Sequence, residues 1–206
     1  YLHNSDGNQE TGSATLSSGA SLTLSATGGE ARGLHVDHGT FTSDGLLNIR
    51  AQSSDINAAY GIMATGDAVL NFKDMTTVSA QGAGDAYALY VGTDDSELAS
   101  EHAPKDSVAS VTFGEASTTT LNGGVFIEAG HSVTMNGEMT IAGNLDLAGN
   151  ITGSGNLTIS GQKAEVQADA RINVNSLTLI NVDFSNLGTV LAEGNITIGN
   201  GATIAD

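Results

Sequence analysis

IEAGHS VTMNGE MTIAGN LDLAGN ITGSGN LTISGQ: residues 127–162 divide without a gap into six units of six residues. Each unit opens on an apolar residue, Ile127, Val133, Met139, Leu145, Ile151 and Leu157 in turn. In most units the third position is also apolar or small. A polar residue such as Thr140, Asp146 or Thr158 stands between, which is the two-residue alternation of a half-buried strand. The units close on Gly143-Asn144, Gly149-Asn150 or Gly155-Asn156, residue types that tolerate the positive φ of a sharp bend. A strand of three or four residues cannot make a stable hairpin sheet by itself. It can make one face of a coil, provided the next coil stacks on it and pairs in parallel. The fixed period therefore predicts a solenoid.

Downstream the pattern loosens but continues through Ile172/Val174, Leu177/Leu179, Ile196/Ile198 and Ala202/Ile204. Upstream the repeat is longer: LTLSA (22–26) leads to ARGLHV (31–36), LNIRA (47–51) to AYGIMA (59–64), and TTVSA (76–80) to AYALYV (86–91). Leu34, Ile62 and Leu89 lie 28 and 27 residues apart, and Leu24, Ile49 and Val78 lie 25 and 29 apart. Near-constant spacing, with the slack confined to Gly/Ser/Asp-rich connectors, is the mark of stacked coils with variable loops. Between the two zones lies GTDDSELASEHAPKDS (92–107), the most polar stretch and the home of Pro104. Strand patterning resumes at once over 108–113, so this stretch reads as an excursion loop and not a linker. The expectation is one β-helix domain over 1–206, with long coils in 1–91, the loop at 92–107 and short hexapeptide-like coils in 108–206. An all-helical chain is excluded by the density of Gly, Thr, Ser and Asn and by the lack of a 3.6-residue stripe. An antiparallel sandwich, whose strands recur every ~8–12 residues, has no need of exact six-residue units.

Composition narrows the function. The chain has 206 residues, 39% of them hydrophobic but only 4% aromatic, with 27 glycines, which fits a thin core of small aliphatic layers. Six Lys+Arg against 23 Asp+Glu give a net charge of -17, which repels phosphate backbones and anionic headgroups. Neither nucleic acid nor a membrane surface is an expected partner, and no apolar run is long enough for a transmembrane helix. Without cysteine there is no disulfide framework and no thiolate metal site. The start at Tyr1-Leu2-His3-Asn4, with no initiator Met or signal peptide, reads as a processed fragment.

Units such as GNLTISG (155–161), GNITIGNGATI (194–204) and SSGASLTLSA (17–26) resemble the passenger domains of bacterial autotransporters and related β-helical adhesins. The resemblance covers nearly the whole chain and lies in repeat style. It implies an all-β, right-handed, single-stranded parallel β-helix, secreted or held at the bacterial cell surface through an outer-membrane anchor that this chain does not include. It also implies adhesion to a host glycan or surface protein, or self-association. Hexapeptides are similar too to those of left-handed β-helix acyltransferases, but Met139, Leu145 and Leu157 are large where that family favours small residues.

Candidate sites follow from the residues. Tyr60 and Tyr87 occupy equivalent places in successive repeats, with Arg32 at the third, and form a stripe suited to stacking between coils or to contact with a partner. The loop acids Asp94, Asp95, Glu97 and Asp106 offer the hard oxygens that Ca²⁺ takes. No EF-hand or GGxGxD repeat accompanies them, so the expectation is a solvated binding loop with no cofactor and no metal. In His35-Val36-Asp37-His38, alternation puts His35 and Asp37 on one strand face, and the expectation is exposed residues beside a turn. Arg32, Arg50, Lys73, Lys105, Lys163 and Arg171 are scattered and tryptophan is absent, so no catalytic residues are assigned. The alternative is a carbohydrate-active β-helix enzyme of the polysaccharide lyase or hydrolase kind. Ice binding needs a ladder of outward Thr-x-Thr, and in the sequence Thr40/Thr42 and Thr118/Thr120 stand isolated.

Overall fold

Alternating inward and outward residues, cut every few positions by glycine or asparagine, wind the chain into three flat faces. The computed structural model describes residues 12–93 and 107–205, and among them every regular element is a strand. The first face stacks β1 (Gly12–Leu16), β4 (Gly39–Ser43), β7 (Val69–Phe72), β10 (Ser110–Phe113), β13 (Ser132–Met135), β16 (Asn150–Thr152), β19 (Arg171–Val174) and β22 (Thr189–Ala192). The second stacks β2 (Ser21–Gly28), β5 (Leu46–Ser53), β8 (Thr76–Gln81), β11 (Thr118–Asn122), β14 (Glu138–Ile141), β17 (Asn156–Ile159), β20 (Ser176–Leu179) and β23 (Ile196–Ile198). The third stacks β3 (Ala31–Asp37), β6 (Ala59–Thr65), β9 (Ala86–Val91), β12 (Gly124–Ile127), β15 (Leu145–Leu147), β18 (Lys163–Val166), β21 (Asp183–Asn186) and β24 (Thr203–Ala205). Every neighbour pairs in parallel, which makes the fold a parallel β-helix solenoid, with eight coils among the described residues.

The hexapeptides explain the coil. Val133, Met139 and Leu145 fall on the first, second and third faces, and Ile151, Leu157 and Ala164 stack on them in register. Three units close one coil, and all six of these side chains are buried. In the long coils, Leu34, Ile62 and Leu89 are paired across adjacent strands, as are Leu24, Ile49 and Val78. The inward residues form one apolar column from Leu34 to Phe184, in which Phe41 tilts toward Phe72 at 5.9 Å and Phe72 stacks on Phe113 at 5.1 Å. Where β2 and β5 lengthen to eight residues, a second, alanine-lined pocket of core (Ala31, Ala51, Ala59, Ala80) fills the extra width.

At the corner from second to third face, Gly123, Gly143 and Gly161 lie one above another. A Cβ on Gly143 or Gly161 would collide with the backbone carbonyl of the glycine below, so this column must lack side chains. In the last coil the alternation persists, but Ile196, Ile198 and Ile204 are 52%, 46% and 57% exposed, since no described coil covers them.

Candidate binding face

Strand register, and not sequence proximity, builds the outer surface of the third face. One row runs Arg32, Tyr60, Tyr87, Gly124 from β3 to β12. The next runs His35, Met63, Tyr90, Phe126, Asp146, Glu165 from β3 to β18. Phe41, Phe72, Phe113 and Phe184 turn into the core, whereas Tyr60, Tyr87 and Tyr90 turn outward, where a phenol can meet water or a polar group. Phe126 joins them on the outside despite having no hydroxyl.

These four half-buried rings form one platform. Tyr60 and Tyr87 stack at 5.9 Å and 20°, and Tyr90 and Phe126 stack at 5.1 Å and 19°. Tyr90 stands edge-on to Tyr60 at 5.4 Å and to Tyr87 at 5.9 Å, and Phe126 tilts toward Tyr87 at 6.1 Å. The guanidinium of Arg32 lies 6.0 Å from the Tyr60 ring centre, so a cation covers one end of the tyrosine row. Tyr90 Oη donates to the Thr93 carbonyl at 2.9 Å. The Glu128 carboxylate then accepts from the Thr93 N–H at 2.6 Å and from its hydroxyl at 2.9 Å.

At the other end of the row the ladder stops at Gly124. A Cβ there would come within 3.2 Å of both the Tyr87 ring and the Ala86 carbonyl. Without it, a cleft of about 260 Å³ opens beside Tyr87, bounded by Asp85, Gly124, Asp146, Lys163 and Glu165. Lys163 Nζ pairs with Glu165 at 2.6 Å, and Gln167 donates its amide to Asp146 at 2.6 Å. Burial pushes the Tyr87 phenol above its usual pKa, and the Asp85 carboxylate, the Tyr60 phenol and the Asp146 carboxylate push it the same way. The ring therefore stays neutral and able to donate.

The structure brings the sequence-legible Tyr60 and Tyr87 into contact and adds Tyr90, Phe126 and the acidic cleft. Alternation from Tyr87 would turn Tyr90, three residues on, to the opposite face; Ala88 and Leu89 are both buried in succession, and that irregularity brings Tyr90 outward. Phe126 and the acids could be added only once the register was known. Asp94, Asp95, Glu97 and Asp106 lie outside the described residues. Among the described residues, no cluster of three or more His, Cys, Asp or Glu is placed to hold a metal, and no helix is long and apolar enough to cross a membrane.

The expectation of exposure for His35 and Asp37 is corrected: they are 2% and 1% exposed. A chain of hydrogen bonds satisfies their buried polar atoms. Arg32 donates to His35 Nδ1 at 3.1 Å, His35 Nε2 lies 3.0 Å from Thr65 Oγ1, and that hydroxyl donates to Asp37 Oδ1 at 3.0 Å. The chain is consistent with a neutral imidazole carrying its proton on Nε2. His38, at φ 51° on the corner, meets Asp67 at 2.9 Å. Threonines that look isolated in sequence also align: Thr77, Thr120, Thr140, Thr158, Thr178 and Thr197 form one outward column on the second face. It is a single column, without the second aligned threonine row that a Thr-x-Thr surface requires.

Comparison with protein-family models, with characterised proteins and with solved structures returns no match to this chain.

Proposed function

We propose that this solenoid is an adhesive surface segment of the autotransporter-passenger kind, displayed outside a bacterial cell, which binds a host glycan or surface protein, or copies of itself, through the outer surface of its third face. The observation that carries this reading is the ring platform. Three tyrosines and a phenylalanine, out of nine aromatic residues in the chain, are gathered on one outer patch. Large rings left half-exposed and held rigid by a β-ladder are the anchors recognition surfaces use, because little side-chain entropy is lost on contact. The rest of the solenoid supplies stiffness and reach. The acidic surface disfavours nucleic acid as the partner.

The test uses the whole chain on beads, exposed to a glycan array, to protein-coated surfaces and to beads carrying the same chain. Tyr87→Ala with Phe126→Ala is expected to abolish capture while the unfolding transition stays cooperative. Undiminished capture by the double variant overturns the reading.

One observation favours a second reading, a carbohydrate-active enzyme: Asp85, Asp146 and Glu165 border the same cleft as an aromatic ring. Turnover of a polysaccharide panel that disappears in Asp146→Asn would establish that reading in place of the first.

A further inference from the structure

The two ends of the Tyr60–Tyr87 stack are alike in ring chemistry and unlike in what covers them. At one end the molecule supplies its own cover, the Arg32 guanidinium over Tyr60. At the other, the position in register with Tyr87 is Gly124, and the missing side chain leaves the cleft. We propose that this slot binds the guanidinium of an arginine in a basic segment of a partner protein, stacked on the outer face of Tyr87 over Gly124 and paired with Asp85 and Asp146. This rests on the adhesive reading in that it takes the ring platform as the contact surface, and it narrows the partner to a cationic polypeptide.

Three features select this occupant. The cleft is bounded on one side by the Tyr87 ring, on which a planar guanidinium can lie flat as a tetrahedral ammonium cannot. Its charge is unbalanced among the described residues, where the one cation at the rim, Lys163, is engaged with Glu165, while Gln167, the donor on Asp146, is neutral. A guanidinium in the slot would bring its fork of N–H donors to Asp85 and Asp146, which pair with no positive side chain among the described residues. Finally, the net charge of -17 draws basic segments toward the surface and speeds encounter. The same carboxylates that help hold the Tyr87 phenol protonated are the ones an incoming cation would meet.

The experiment titrates the full 206-residue chain with a capped Gly-Arg-Gly-Arg-Gly peptide and its lysine twin at about 150 mM salt, where exposed charges more than roughly 8 Å apart are screened. The arginine peptide is expected to bind at least about fivefold tighter than the lysine twin. Asp85→Asn with Asp146→Asn is expected to weaken it about tenfold. Glu115→Gln with Asp169→Asn removes the same charge at other corners and is expected to change binding by less than about twofold. Tyr87→Phe keeps the ring and the binding, whereas Tyr87→Leu keeps apolar bulk but loses about fivefold. Unfolding midpoints of all variants establish that each is folded. Equal affinity for the two peptides, equal weakening by the control pair, or displacement of the peptide by a neutral oligosaccharide overturns the proposal. If the peptide fails to bind while capture still depends on Tyr87 and Phe126, the proposal falls and the adhesive reading stands. If capture is independent of those rings, the adhesive reading fails whatever the peptide does.

Discussion

Phe72 and Phe126 offer a matched pair for separating burial from stacking. Each ring lies 5.1 Å from a neighbour at an interplanar angle of 19°, Phe72 on Phe113 and Phe126 on Tyr90. Phe72 is wholly buried in the apolar column, whereas Phe126 is half-buried on the outer platform. Truncating Phe72 to alanine removes a fully buried ring and leaves a cavity that paired strands cannot collapse to fill, for a loss of about 3–5 kcal/mol. Truncating Phe126 forfeits the burial of half a ring, about 1 kcal/mol, and one stack of similar size, giving about 1–2 kcal/mol. Urea unfolding followed by circular dichroism reads both. With an m-value of about 2 kcal/mol/M, Phe72→Ala should lower the midpoint by roughly 2 M and Phe126→Ala by less than roughly 1 M. Equal shifts would refute the assignment of inner and outer rows, and with it the argument that the outer rings are there for contact and not for the core.

Three further substitutions probe the corners and the buried polar groups. Gly161→Ala forces a Cβ onto the Gly143 backbone carbonyl, which cannot swing aside as a side chain would, and should cost about 3 kcal/mol, while Gly12→Ala, in open space, should stay within about 0.5 kcal/mol in the same urea assay. Thr65→Val leaves His35 and Asp37 each one hydrogen bond poorer in a buried site and should cost about 1–3 kcal/mol by thermal or urea unfolding. His131 accepts the Ala109 N–H on Nδ1, a bond only the neutral ring can make, and burial lowers its pKa below the ordinary 6.5 against the opposing pull of Glu128. Its neutral form therefore stabilises the fold fully above about pH 6.5, and that contribution is lost as pH falls through the lowered folded value. His131→Asn should accordingly lose less stability than wild type between neutral and mildly acidic pH, and parallel pH profiles would contradict the assignment.

The architecture was legible because the feature that makes a coil is local. An apolar leader, an alternating partner and a Gly-Asn bend recur in Leu145-Asp146-Leu147 and Leu157-Thr158-Ile159 without reference to distant residues. The spacings from Leu34 to Ile62 to Leu89 proved to be true ladder pairs for the same reason, since each coil must return to its own face. The site was legible only in part. Tyr60 and Tyr87 sit in recognisable repeats, but Phe126 and Asp146 reach the platform through strand register across connectors of unequal length, which composition cannot predict. The burial of His35 and Asp37 was missed because alternation says which face a residue takes and not whether that face is covered. The threonine column was missed because its members are separated by whole coils.

Three six-residue units per coil also make the molecule a ruler graduated in single steps. Loss or duplication of one such trio in the stretch around Ile151 and Leu157 would shift everything beyond it by one strand spacing, about 4.8 Å, with all three faces still aligned. Among the wide coils, where Gly12 and Gly39 are partners but so are Thr40 and Val69, the repeat lengths differ, and the same event would throw neighbouring rings out of line. Recombination can thus lengthen or shorten the plain part of the rod in small increments while the ring-bearing part must be inherited whole.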